Sequence, residues 1–269
     1  YILSFYDSDI LFPKSLDFIW LKITSGHVYA TNFIYIGSVI LKNSSLYDPF
    51  WSVAPVPIVI YLALNSENSL LLKLLVTLPI IFWAARLTRN WLISWRGFEH
   101  EDFRYIDLKN TNKFQAEFNN FFGIHPFIVN ICLYPLIYIF TYDVEVTISL
   151  YFASIFTFLA VVLETIADEQ MRGFRQNPEN KGKTMKYKLW KYSRHPNYLG
   201  EIGFWFGIFF MSMSSEFAPF WLIICPLAML ALFVFASCPM MDERSLKNRS
   251  DYKEYMEKTS QLFLMPPKN

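Results

Sequence analysis

Seven stretches of this chain, near 17–41, 50–65, 69–94, 124–142, 145–168, 197–214 and 217–240, stay apolar over about the length a helix needs to cross a bilayer. A span takes about 20 mostly apolar residues, and it must be helical because no water is present to satisfy the backbone N–H and C=O groups. The composition agrees: 54% apolar, 19% aromatic and only 17% charged. The pattern predicts an all-α, polytopic membrane helix bundle with about seven transmembrane helices. Lys22, Thr24, Ser25 and His27 interrupt the first stretch, and Pro55 with Pro57 predicts a kink or break in the short second one. No internal repeat is visible. The chain reads as a single membrane domain, with N-terminal spans and an interfacial segment over 17–122 and a second part over 124–269.

Loop charge sets the expected orientation. Connections at 65–69, 142–146 and 212–216 contain no Lys or Arg, whereas 95–113, 172–194 and the tail from 244 hold most of the basic residues. The two kinds alternate along the chain, as the positive-inside rule requires. The N-terminus is therefore expected outside and the C-terminus in the cytoplasm. The membrane would be the endoplasmic reticulum in a eukaryote and the inner membrane in a bacterium.

Several classes are set aside. The net charge of +1 arises from loop-segregated basic residues and implies no groove for nucleic acid. Nine glycines with no G-x-G-x-x-G after a strand-like run argue against a Rossmann domain. Cys132, Cys225 and Cys238 are isolated in or beside apolar runs, without C-x-x-C spacing or a disulfide framework. His27, His100, His125 and His195 form no metal-ligand spacing, so no metal is expected.

Polar chemistry concentrates at 164–201, ETIADEQMRGFRQNPENKGKTMKYKLWKYSRHPNYLGE. Glu164, Asp168, Arg172 and Arg175 recur at spacings of four, four and three, which puts them on one helical face. A basic loop with Gly, Asn and Pro follows, and then Tyr192-Ser193-Arg194-His195-Pro196-Asn197-Tyr198 opens a second apolar helix. Pro196 suits the first turn of that helix, where backbone N–H groups are unpaired and favour anions. Arg172, Arg175 and Arg194 can fork onto the same phosphate. Asn197 and Glu201 stand one turn apart where a plain membrane helix would carry Leu, and their polarity there has a desolvation cost. The competing reading is positive-inside charge flanking two spans.

Other candidates lie elsewhere. Asp48, before Pro49, reads as a helix N-cap or as an acid at a pocket mouth whose pKa burial would raise. Arg86 and Arg89 share a face of an apolar helix, positioned to snorkel or to reach a cofactor phosphate. Residues 96–122 are amphipathic, fit to lie at the interface as a charge network or a lid. From Asp242-Glu243-Arg244 to Lys268 the tail reads as an amphipathic helix; Glu243 can hydrogen-bond adenosine or ribose groups, or cap the bundle.

The sequence R-H-P-N-Y-L-G-E after the helix end D-E-Q-M-R-G-F-R resembles the C-terminal half of the steroid 5-alpha-reductase superfamily. It is most similar to the branch catalogued as DUF1295. Y-D-P-F-W-S-V-A-P at 47–55, W-R-G-F-E-H-E-D-F-R-Y at 95–105, D-E-R-S-L at 242–246 and Y-K-E-Y at 252–255 agree with that branch. The likeness covers roughly residues 45 to 267. Isoprenylcysteine and phospholipid methyltransferases carry a similar R-H-P-x-Y-x-G core. The resemblance implies cofactor binding by Asp168, Arg172, Arg175, Asn197, Tyr198 and Glu201, with Arg86, Glu164, Tyr192, Arg194, His195 and Glu243 assigned to the same role. It also implies catalytic parts for Asp48, the shortened counterpart of a Glu before proline, and for Glu201. Trp83 stands where steroid reductases place a substrate-contacting tyrosine, which speaks against a 3-keto-steroid substrate.

The function expected from this likeness is a membrane oxidoreductase that uses NADPH. Its substrate would be a lipid-soluble steroid-, sterol- or prenyl-like molecule with a carbon–carbon double bond conjugated to a carbonyl. Two alternatives stand beside it. One is an S-adenosylmethionine-dependent methyltransferase of the isoprenylcysteine type, and the other a non-catalytic lipid-binding membrane protein. The expected partners are the lipid bilayer and a lipophilic small molecule.

Overall fold

Apolar runs become helices throughout the computed structural model, which describes residues 19–111 and 124–268. Among these residues all regular structure is helical. Residues 17 and 18 of the first predicted span and 112–122 of the predicted interfacial segment lie outside the described residues, as does the His125 side chain. Four helical stretches are long and apolar enough to cross a membrane: Ser44–Asn65, Leu70–Ser94, Ile148–Gln176 and Phe220–Asn248. Phe127–Thr141 is apolar but shorter. Large apolar side chains such as Leu78 on one of these helices and Phe152, Ile155 and Leu159 on another face outward, which suits contact with lipid and not with water. The protein is a membrane-embedded helical one.

The chain divides into two compact units, one comprising the residues up to Ile148 with Met211–Leu222, the other Ser149–Phe210 with Ile223–Asn269.

The first unit contains α1 (Ile19–Leu41), a 3-10 turn at Ser44–Tyr47, α2 (Phe50–Val53), α3 (Pro55–Asn65), α4 (Leu70–Ser94), α5 (Phe103–Thr111), α6 (Ile124–Cys132) and α7 (Tyr134–Thr141). The break between α2 and α3 falls at Ala54, next to Pro55, where the sequence predicts it. Leu133 separates α6 from α7 for the same reason, since Pro135 occupies the first turn of α7. The Asn68 side chain ties two turns together. Its amide donates to the carbonyls of Ile139 and Tyr142 at 3.0 and 2.9 Å, and its oxygen accepts from the Val144 N–H at 2.8 Å.

In the second unit α8 (Ile148–Gln176) runs unbroken from its apolar part into the polar 164–176 face. A loop with 3-10 turns at Pro178–Asn180 and Lys188–Lys191 leads to α9 (Pro196–Ser212). Then come α10 (Ile224–Leu232), a π-helical turn (Phe233–Ser237), α11 (Cys238–Asn248) and α12 (Tyr252–Lys258). The π turn precedes Pro239, whose missing N–H interrupts the regular ladder. α8 and α9 meet through small residues. A Cβ on Gly203 would stand 3.0 Å from the Cβ of Ala160, and one on Gly207 would stand 2.1 Å from Oγ1 of Thr157. Such close backbone approach suits helices whose association in lipid rests on packing and not on a hydrophobic drive.

Two local expectations are corrected. Asp48 does not cap a helix: Pro49 occupies that position, and Asp48 closes the preceding 3-10 turn. The tail is not one amphipathic helix either. Arg249 adopts an extended conformation that ends α11, and beyond α12 the chain returns as a strap. The strap's Met265 N–H donates to the Tyr192 carbonyl at 3.0 Å.

Candidate functional site

The polar segment between α8 and α9 is built onto its surroundings. Trp190 donates its indole N–H to the Ala167 carbonyl at 3.0 Å, and the Leu189 N–H donates to Gln170 at 3.1 Å. Met171, Phe174, Met185 and Trp190 form a small apolar cluster beneath it. These contacts hold the start of α9 beside the polar end of α8.

Between those helix ends and α11 lies a cavity of about 250 Å³. Of the residues expected at a cofactor, Asp168, Arg175, Arg194, His195, Asn197 and Tyr198 line it. Glu164, Arg172, Tyr192, Glu201 and Glu243 do not. Glu164 is buried at the α8–α9 contact, where a Cβ on Gly200 would come within 2.6 Å of its own Cβ. Arg172 pairs with Glu169. Tyr192 is exposed, with its carbonyl held by the strap. Glu201 accepts a hydrogen bond from the Trp205 indole at 2.9 Å. Glu243 points outward on α11.

Arg194 and His195 have a structural task as well. The Arg194 guanidinium donates to Asp242 at 2.9 Å and to the carbonyls of Met256 and Thr259 at 2.7 and 3.0 Å. His195 Nε2 lies 3.0 Å from the other Asp242 oxygen, which also accepts from the Tyr252 hydroxyl. The His195 ring stacks on Tyr198, with centroids 5.2 Å apart. Tyr255 donates to the carbonyls of Trp190 and Ser193. Burial pushes the Tyr252 and Tyr255 phenols well above their ordinary range, with Asp242 adding to the shift, so both remain donors at neutral pH. The R-H-P and D-E-R-S-L motifs therefore bind each other and fasten the tail.

The end of α11 also lines the cavity, which the sequence reading does not include. Arg244, Ser245, Asn248 and Arg249 all line the cavity. The i, i+4 pair Arg244–Asn248, with Ser245 beside it, carried that signal on α11, whereas Arg249 joins them from the extended residue that ends the helix.

Several cations of this unit are paired within the chain. Arg172 pairs with Glu169, Lys186 with Asp251, Arg194 with Asp242 and Lys258 with Glu254. Arg175 and Arg249, which face the cavity, have no ion pair among the described residues. Asp168 is the one acidic residue in the wall, set against Arg175, Arg194, Arg244 and Arg249. With Arg194 neutralised by Asp242, the wall keeps an excess of positive charge. An anion that enters would meet donors already in place.

The remaining candidates sit in the first unit. Asp48 accepts two bonds from Arg104, both at 3.1 Å, and one from the Tyr105 hydroxyl at 2.7 Å. Around it, Asn43 donates to the carbonyls of Phe98 and His100 at 2.7 and 3.1 Å, and Glu101 accepts from the Ser44 N–H at 2.6 Å. The 95–105 motif thus docks onto the 43–48 turn, and Asp48 is an acceptor at its centre. Arg86 is 6% exposed and so is buried within the unit, which a snorkelling side chain would not be.

Fold and cavity define a class, a helical membrane protein with a cation-rich cavity at the polar ends of its helices. The chain belongs to the family described as a protein of unknown function, DUF1295, whose model matches residues 34–259. It is 23% identical over 283 residues to an uncharacterized protein, C594.04c, of Schizosaccharomyces pombe, across 86% of this chain and 76% of that relative. No solved structure matches it.

Proposed function

We propose that this protein is a reductase of the steroid 5-alpha-reductase type that binds NADPH at the second-unit cavity and reduces a polarised double bond in a lipid-soluble substrate. The observation that carries this reading is the convergence of Asp168, Arg175, Asn197 and Tyr198 on one cavity whose wall holds unpaired arginines. These residue types fit a dinucleotide's phosphates: Arg175 and Arg249 offer forked donors, and Asn197 sits in the first turn of α9, where backbone N–H groups add their own field. At about 250 Å³ the cavity is smaller than the roughly 300–1,000 Å³ of pockets that enclose a whole drug-sized ligand. It accordingly seats the phosphate-bearing portion and leaves the nicotinamide to the apolar interior. When bound, the cofactor supplies the hydride; the chain's own residues hold the phosphates and exclude water. S-adenosylmethionine, with its positive sulfonium, suits such a wall poorly.

In this reading seven spans cross the membrane, the N-terminus lies outside, and the cavity opens to the cytoplasm. The test is thermal stabilisation of detergent-solubilised protein by NADPH, NADH and S-adenosylmethionine, since a ligand of the folded state raises apparent stability. NADPH is expected to raise the midpoint most. A shift from S-adenosylmethionine with none from either dinucleotide would replace this reading with a methyltransferase.

A further inference from the structure

Beside the cavity lies a second, shallower recess of about 300 Å³, lined by Phe174, Asn177, Pro178, Asn180, Lys181, Gly182, Lys183 and the same Arg175 and Arg249. Four cations face it and no acidic residue lines it. Among the described residues none of the four makes an ion pair. Like charges gathered without counter-ions repel one another, at a cost that an anionic ligand removes.

The recess is a built feature. Asn177 caps the 3-10 turn by accepting from the Glu179 N–H at 3.0 Å, and Asn180 donates to the Phe174 carbonyl at 2.9 Å. At Gly182 φ is +75°, a conformation few other residues adopt, which turns the chain between Lys181 and Lys183. Downstream, Thr184 donates its hydroxyl to Asp251 at 2.6 Å, and Lys186 pairs with the same carboxylate at 3.1 Å. Both ends of the lysine-bearing turn are therefore anchored.

We propose that this recess is a binding site for a phosphomonoester dianion, placed so that Arg175 and Arg249 bridge it to the neighbouring cavity. The pair then recognises a ligand carrying two separated phosphate groups. The identity of that ligand as a dinucleotide bearing an extra ribose phosphate rests on the reductase reading; the phosphate site itself does not.

The test uses the full chain in uncharged detergent, with adenosine 2′,5′-bisphosphate and adenosine 5′-monophosphate as probes and phosphatidic acid against phosphatidylcholine as added lipids. Lys181 and Lys183 are exposed, so the double variant Lys181→Gln/Lys183→Gln should fold. The wild type is expected to bind the bisphosphate at least about tenfold more tightly than the monophosphate, in line with one or two charge-assisted bonds. In the double variant that preference should disappear while monophosphate affinity is kept. If neither nucleotide binds but phosphatidic acid stabilises the wild type and not the variant, the phosphate site stands with a lipid headgroup as its source, and the dinucleotide reading falls. Equal affinities for the two nucleotides, or a preference the double variant retains, would overturn the proposal. So would the absence of any probe that tells wild type from variant.

Discussion

Gly200 packs so closely on Glu164 that an added Cβ would stand 2.6 Å from the Glu164 Cβ and 2.7 Å from the Ala160 carbonyl oxygen. Two of the three nearest atoms are backbone, so the neighbour cannot turn aside. Gly200→Ala is expected to force α8 and α9 apart and to destabilise the second unit by about 1–3 kcal/mol. Thermal unfolding in detergent measures this. Gly173→Ala, also within a helix (α8) but where an added Cβ meets nothing within 4 Å, is the control and should be neutral or stabilising by up to about 1 kcal/mol.

Asp242 gathers Arg194, His195 and Tyr252. Removing its charge leaves a nearly buried guanidinium without a counter-ion, a change that typically costs about 3–5 kcal/mol. Asp242→Asn should lower the thermal midpoint strongly and expose the strap after α12 to protease. Retention of protease resistance would show that the strap is held by something else.

Asp48 is expected to couple to Arg104. If the carboxylate is the hub of the junction between 43–48 and 95–105, a double-mutant cycle of Asp48→Asn and Arg104→Gln should show an interaction of about 0.5–3 kcal/mol in stability. A catalytic acid with no such task would give additive effects and a loss of turnover alone.

The Asp251 latch predicts a pH dependence. Burial works to raise the Asp251 carboxyl, but the bonds from Thr184 and Lys186 outweigh it and hold it below the usual carboxylate range. A group whose pKa is depressed in the folded state stabilises above its unfolded value, about 3.9, and loses that contribution as pH falls through the folded value. The difference in thermal midpoint between wild type and Asp251→Asn should therefore be constant from pH 7 to 5. Below about pH 4 it should shrink, and a gap that widens in acid would reverse the assignment.

The fold was legible where the period and length of apolar runs decide it. Among the described residues each apolar stretch is mainly helical, and the break at Pro55 lies where a missing N–H must place it. Asp48 was misread because the residue before Pro49 looked like a cap, and its real partners, Arg104 and Tyr105, stand far along the chain. The site was half legible. Asp168, Arg175, Asn197 and Tyr198 share a cavity because helical spacing and the Pro196 start constrain them locally. Glu201 and Arg172 satisfied the same spacing but are taken by Trp205 and Glu169. Arg244 reaches the cavity from α11 and Arg249 from the extended residue that ends it, a bend that helical spacing does not show.

Fluorescence titration of NADPH against wild type, Arg175→Gln, Asn197→Ala and Arg172→Gln tests the central claim most directly. The account predicts micromolar binding to wild type and a loss of about tenfold or more with Arg175→Gln or Asn197→Ala, the worth of a hydrogen bond to a charged group. Arg172→Gln, outside the cavity and paired to Glu169, should bind nearly as wild type does. Undetectable NADPH binding to folded wild type, or equal losses at Arg172 and Arg175, would contradict it.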